Sequence, residues 1–350
     1  MSVRIFTGRS YTRIRSFCRN SSSTASKPYR KPLYKRDEAK KLRFYIADRY
    51  VTLLTKYETM LEKRFPSAMR VYRRFMDGIK DFYYDTKEYL RIVRYLNFKD
   101  KGLKDLSRQE IELYQKIPKD MIKIAPFLMV SILPFANYVV FPIAYLFPRQ
   151  VLCSHFWNIQ QRNEFGIMEI HKRLLHNRPV FRHLQAAVPC LENHELKDKW
   201  KGILASLGSG SHPNPTEILA CKNLFMEKPF HIFYLNRSHV KHLLQMHNMH
   251  RMWFRKSRLS ERAIILQALD RAIVREGGVM KLSTDALRYS CVLRGLNPMN
   301  LSNQEMQTWL SNWIWISNHV DKNSLSLLLH CPILLGYNHP NNWRLIYAKK

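Results

Sequence analysis

The chain has 350 residues, 46% of them hydrophobic, which is enough to bury a core and excludes wholesale disorder. Lys and Arg number 58 against 27 Asp and Glu, and the resulting charge of +31 attracts polyanions, either nucleic acid such as ribosomal RNA or anionic lipid. The six cysteines (Cys18, Cys153, Cys190, Cys221, Cys291, Cys331) are widely spaced, form no C-x-x-C or Cys/His knuckle, and read as small core residues of a reducing compartment.

Residues 1–36 contain ten Lys and Arg, a serine cluster at Ser21, Ser22 and Ser23, and no acid before Asp37. That is the composition of a mitochondrial transit peptide, with a disordered basic tail that binds nucleic acid as the alternative. Residues 37–120 read as amphipathic helices. Tyr50, Leu53, Leu54, Tyr57 and Leu61 recur at helical spacing, and beyond Pro66 so do Tyr72, Phe75, Ile79, Phe82 and Tyr83. Such helices either lie on an anionic membrane surface or pack against protein.

Ser107 and Glu110 have capping-box spacing and predict a helix start. The helix leads into residues 121–148, whose stretch from Ile124 to Pro148 carries no charge. About 25 uncharged residues suffice to cross a ~30 Å hydrocarbon core, so this part reads as one transmembrane segment kinked or divided at Pro126, Pro134 and Pro142. A buried helical hairpin is the alternative. Asn137 is then an intramembrane polar residue, serving as hydrogen-bond glue or as a functional group.

Residues 149–340 alternate short helical runs with turns, among them the Gly208–Pro215 loop, and residues 341–350 form a tail. Without period-2 alternation the fold class is all-α: N-terminal amphipathic helices, one proline-kinked transmembrane segment and a C-terminal all-helical soluble domain. Ser283 predicts a helix ending at Arg294-Gly295, and Ser302 with Glu305 opens a helix carrying Trp309, Leu310 and Trp313 on a core face.

Catalytic motifs are absent, and no cofactor or metal site is predicted. His239/His242 and His247/His250 have i, i+3 spacing but lack nearby carboxylate or Cys partners, so they read as part of a basic surface. That surface gathers Arg237, Lys241, Arg251, Arg255, Lys256, Arg258 and Arg262, with Trp253 and Phe254 interleaved. Such a cluster suits RNA phosphates, the aromatics either stacking on bases or packing inward.

YRRFMDGIKDFYYDTK (72–87), LSRQE, PFLMVSILPFANYVVFPIAYLFPRQ, LSTDALRYSCVLRGL, MQTWLSNWIWIS and SLSLLLH occur in that order. Together, over roughly Tyr72 to Tyr337, they resemble the LETM-domain family. The resemblance implies a mitochondrial inner-membrane protein with a matrix-facing, ribosome-binding-type helical domain. It also implies roles in mitochondrial structure, membrane-protein biogenesis and ion homeostasis. Longer relatives carry a glutamate where this chain reads PFANY, so Asn137 replaces an ionisable group, and the EF-hand and zipper regions are absent. The leading expectation is a non-enzymatic adaptor with mitochondrial ribosomes, anionic lipid and a second copy of itself as partners. The alternative is a subunit of a cation/proton antiporter.

Overall fold

The computed structural model describes residues 66–98, 102–131 and 137–347. The stretch expected as a transit peptide, with Cys18, the amphipathic run Tyr50, Leu53, Leu54, Tyr57 and Leu61, and Pro134 lie outside the described residues. Every regular element among the described residues is helical. Of the two compact units into which the chain divides, the larger runs from Val71 to Lys350.

Helix α1 (Pro66–Phe98) runs through the resemblance block at 72–87. Phe75, Ile79 and Phe82 pack on a small cluster formed by Ile124, Phe127, Ala144, Leu152, Cys153 and Phe156. Phe75, Ile79 and Phe82 therefore pack on protein, whereas Tyr83 of the same run is exposed.

Helix α2 (Arg108–Ser131) starts as its capping box predicts: Glu110 N donates to Ser107 Oγ and Ser107 N donates to Glu110 Oε2, at 3.3 and 2.8 Å. It is tied at this end to the core, because Arg108 N donates to Glu276 Oε1 at 2.7 Å and Arg275 donates to the carbonyls of Lys104 and Leu106. Ile92, Leu106 and Ile111 accordingly share a core cluster with Ile265, Ala268, Leu269 and Ala272, so part of region 37–120 belongs to the same packed body as the later helices.

Among the described residues the uncharged stretch, expected as a single crossing, is carried by more than one helix. Helix α2 continues through Pro126 to Ser131, and after residues 132–136 the chain resumes as α3 (Asn137–Leu146), which contains Pro142, and α4 (Pro148–Val151). Neither proline divides its helix. The two arms turn back on each other, so that His155 Nδ1, beyond the stretch, lies 3.8 Å from Asp120 Oδ2, ahead of it. Among the described residues no helix is long and apolar enough to cross a membrane. Much of this hairpin's apolar surface is uncovered: Ile122, Met129, Tyr145 and Leu146 are all exposed.

The remaining helices are α5 (Ile159–Leu174), α6 (Asn177–Ala186), α7 (His194–Gly208), α8 (Pro215–Ala220), α9 (Arg237–Met246), α10 (Arg255–Arg275), α11 (Thr284–Leu293), α12 (Asn303–His319), α13 (Leu325–Gly336) and α14 (Pro340–Tyr347). At the centre is α13, every residue of which is buried, as a helix apolar on all sides requires. Against it packs α10, whose Leu259, Ala263, Leu266 and Ile273 enter the main core while Ile265, Ala268, Leu269 and Ala272 face the cluster with α2. Burial on two sides removes the single apolar stripe that marks a surface helix.

Arg173 joins three elements, donating from Nε to Met246 O (2.9 Å), from Nη1 to Val292 O (2.7 Å) and from Nη2 to Leu293 O (3.1 Å). These carbonyls lie at the C-termini of α9 and α11, where intrahelical donors run out. Ser283 caps α11 through Ala286 N, Gly295 follows that helix at φ +94°, and Ser302 with Glu305 caps α12. Trp313 is fully buried and Trp309 donates to Leu335 O at 2.8 Å, so both tryptophans are core residues. Among the cysteines, Cys190 is exposed, contrary to the core reading, while Cys153, Cys221, Cys291 and Cys331 are buried.

Candidate nucleic-acid interface

The basic cluster resolves into surface residues of α9, of the loop after it and of the start of α10, and one buried member. Helix α9 presents Arg237 and Lys241 to solvent, one turn apart, after Asn236 accepts from Ser238 N at its start. Beyond α9 the chain turns twice through left-handed residues, Asn248 (φ +52°) and Phe254 (φ +55°), before α10 begins at Arg255. Asn tolerates that conformation, whereas for Phe it is strained, on the order of 1–3 kcal/mol.

Nothing apolar compensates that strain. Trp253 is 78% and Phe254 81% exposed, and Met252, Phe233 and Tyr234 are exposed as well. The aromatics therefore point outward, which the sequence had left open.

Cations hold the loop from α10. Arg255 Nε donates to Arg251 O at 2.8 Å, Arg258 Nη1 to His250 O at 2.9 Å, and Lys256 Nζ to Phe233 O at 2.6 Å. These bonds use one donor of each guanidinium and leave the others for an external acceptor. Among the described residues no ion pair joins Arg237, Lys241, Arg251, Arg255, Lys256 or Arg258 to a carboxylate. Lys241 and Arg251 share one electrostatic neighbourhood, since both help to lower the His242 pKa after burial, the main cause.

Arg262 does not belong to this surface. It is 4% exposed, its Nε and Nη1 have no hydrogen-bond partner, and burial followed by the nearby Arg173 charge pulls its pKa down to about 9. It lies three residues after Leu259 and four before Leu266, both fully buried, and so shares the inward side of α10.

The histidines also depart from the surface reading. His239 and His247 are buried. His247 Nε2 donates to Leu329 O at 2.9 Å, and His330 Nδ1 donates to Ser326 O at 2.7 Å, which leaves His330 Nε2 to accept from His239 Nε2 at 3.0 Å. Burial lowers all three pKa values, that of His330 to about 4, so the rings are neutral in the folded protein. Asn137 opens α3 at the far end of the hairpin, remote in sequence from the basic loop.

An all-helical body with a cationic, aromatic-bearing loop is what fold and surface define. A family model described as LETM1-like, RBD matches residues 106–334, and the chain belongs to the LETM1-like family. It is 33% identical over 287 residues to the LETM1 domain-containing protein 1 of Xenopus tropicalis, covering 81% of this chain and 82% of that protein. With the human LETM1 domain-containing protein 1 it shares 29% identity over 306 residues (86% and 84%), and with that of Bos taurus 28% over 310 residues (88% and 86%).

The matched region begins ahead of the apolar hairpin and includes it, so the hairpin is a part of the family domain. Sequence reasoning missed one group of side chains at the base of the hairpin, Asp85 from α1 with Asp120, Cys153 and His155. Only the closely spaced Cys153 and His155 hint at it, because the two carboxylates come from distant helices.

Proposed function

We propose that this protein is a non-enzymatic adaptor at the mitochondrial inner membrane whose loop at Arg251–Arg258 docks on ribosomal RNA. One observation carries the reading: a strained Phe254 and a neighbouring Trp253 stand exposed among cations that have no carboxylate partner. A π-face beside a phosphate-binding guanidinium suits unstacked bases and their backbone, and base stacking contributes ~1–3 kcal/mol per base. The RBD description of the matching family model supports the same partner.

The apolar hairpin supplies the membrane contact. From Ile124 to Ser131 the uncharged part of α2 is roughly 12 Å long at the helical rise, about the depth of one leaflet of a ~30 Å core. Both arms return to the same side, where Lys116, Lys123 and Arg149 stand near the base to meet anionic headgroups. The hairpin enters one leaflet and returns. This anchors the basic domain at the matrix face without a crossing.

The deciding experiment is co-sedimentation of the full chain with mitochondrial ribosomes across a salt series. Binding weakens steeply with salt, and Trp253→Ala/Phe254→Ala removes it with α-helical content intact. Association that is insensitive both to salt and to this double variant overturns the reading.

A further inference from the structure

The base of the hairpin gathers side chains from three separate parts of the chain. Asp85 lies on α1, Asp120 on α2, and Cys153 and His155 in the turn after α4. Cys153 Sγ is 3.4 Å from His155 Nδ1, Asp120 Oδ2 is 3.8 Å from the same nitrogen, and the three ligand atoms lie within 4.8 Å of one another. A tetrahedral centre with bonds of about 2.0–2.3 Å separates its ligand atoms by roughly 3.3–3.6 Å, so only small adjustments would bring all three onto one ion.

The far side of the imidazole is already arranged for ligation. His155 Nε2 donates to Asp85 Oδ2 at 2.9 Å, which directs the Nδ1 lone pair of the neutral ring toward Cys153 and Asp120. A carboxylate behind a ligating histidine is the usual outer-shell partner of a metal site.

A simple hydrogen-bond relay is the competing account, and it leaves Asp120 unexplained. Its Oδ2 is inaccessible to water and accepts no hydrogen bond. Lys116 and Lys123 are close enough to act on its charge, yet neither forms an ion pair with it. Buried carboxylate oxygens without a partner are costly, and a cation bound by the same cluster resolves that cost.

We infer that Asp120, Cys153 and His155 form a binding site for a divalent metal of the zinc type, with Asp85 orienting His155 and the fourth position open to water. Thiolate and imidazole ligands favour zinc or cobalt over magnesium and calcium, which take all-oxygen sets. Because Asp120 precedes the apolar hairpin and Cys153 and His155 follow it, the ion clamps the hairpin's two ends together and, through Asp85, to α1.

The test is a cobalt titration of the metal-stripped full chain in detergent, in a Cys18→Ser/Cys190→Ser background that removes the exposed thiol and the one in the leader. Co(II) is expected to give a thiolate-to-cobalt charge-transfer band with the intense visible bands of tetrahedral coordination, saturating at one ion per chain and displaced by zinc. Cys153→Ser removes the charge-transfer band. Asp85→Asn retains it with affinity reduced roughly 10- to 100-fold. Absence of the band in the background protein overturns the inference, as does its persistence in Cys153→Ser.

Discussion

Asp270 and Arg294 form an ion pair closed off from water, with Arg294 Nε 3.0 Å and Nη2 2.5 Å from Asp270 Oδ1. The second carboxylate oxygen accepts from Trp313 Nε1 at 3.1 Å, and Arg294 Nη1 donates to Ser290 O at 2.8 Å. One pair thus joins α10, α11 and α12 at the LRGL stretch of the sequence, whose role here is to hold helices together. Asp270→Ala leaves the guanidinium buried and unpaired, and is expected to destabilise the fold by about 3–5 kcal/mol, read as a fall in the urea midpoint. The double variant Asp270→Leu/Arg294→Met should recover most of that loss. Equal loss in single and double variants would contradict the pairwise account.

Gly295 is held at φ +94°, and a Cβ added there would sit 3.0 Å from Pro332 Cβ on the central helix. Backbone strain and a contact with little room to give act together. Gly295→Ala should lower stability by about 1–3 kcal/mol in thermal or urea unfolding without changing the far-UV helical signature. An unchanged midpoint would show that α13 shifts freely.

Acid should unfold the domain early. Below about 6.5 the unfolded chain protonates His239, His247 and His330, whereas burial keeps these rings neutral in the fold, His330 until about 4. The unfolded state then binds more protons, so stability is fully present above about 6.5 and falls as pH drops toward 4. Urea midpoints measured over that interval should decline, and His330→Asn should flatten the decline.

Arg262 separates interior from surface. Replacing this partnerless buried cation by Met is expected to leave ribosome co-sedimentation unchanged and to keep or raise the unfolding midpoint. Arg251→Glu should weaken binding and reduce its salt slope by about one, as expected for one lost phosphate contact. An Arg262→Met variant that loses ribosome binding while folded would return Arg262 to the interface.

The hairpin's sidedness is open to direct measurement in proteoliposomes. Cysteine labels placed at Gln115 and Gln160, before and after the apolar stretch in a background without other reactive thiols, should react with an impermeant reagent from the same side. A single crossing requires opposite sides. Met129→Asp/Leu146→Asp should release the protein from the vesicles, since a charge at hydrocarbon depth costs about 3 kcal/mol.

Sequence alone determined the all-helical class, because helix ends are written locally: Ser107 with Glu110, Ser283, and Ser302 with Glu305 cap backbone amides within three residues. It determined the core face of Trp309 and Trp313 through spacing, and the family through ordered blocks. Only tertiary structure decided what depends on neighbours distant in the chain. Arg262 and Arg258 are alike in sequence context, yet one is buried against Arg173 and the other holds the carbonyl of His250 on the surface. Hydropathy measured the length of the apolar stretch but not its path, because helices packed back on each other and a single crossing share the same absence of charge. Nor could it show the meeting of Asp85 and Asp120 with Cys153 and His155, which come from both sides of the stretch.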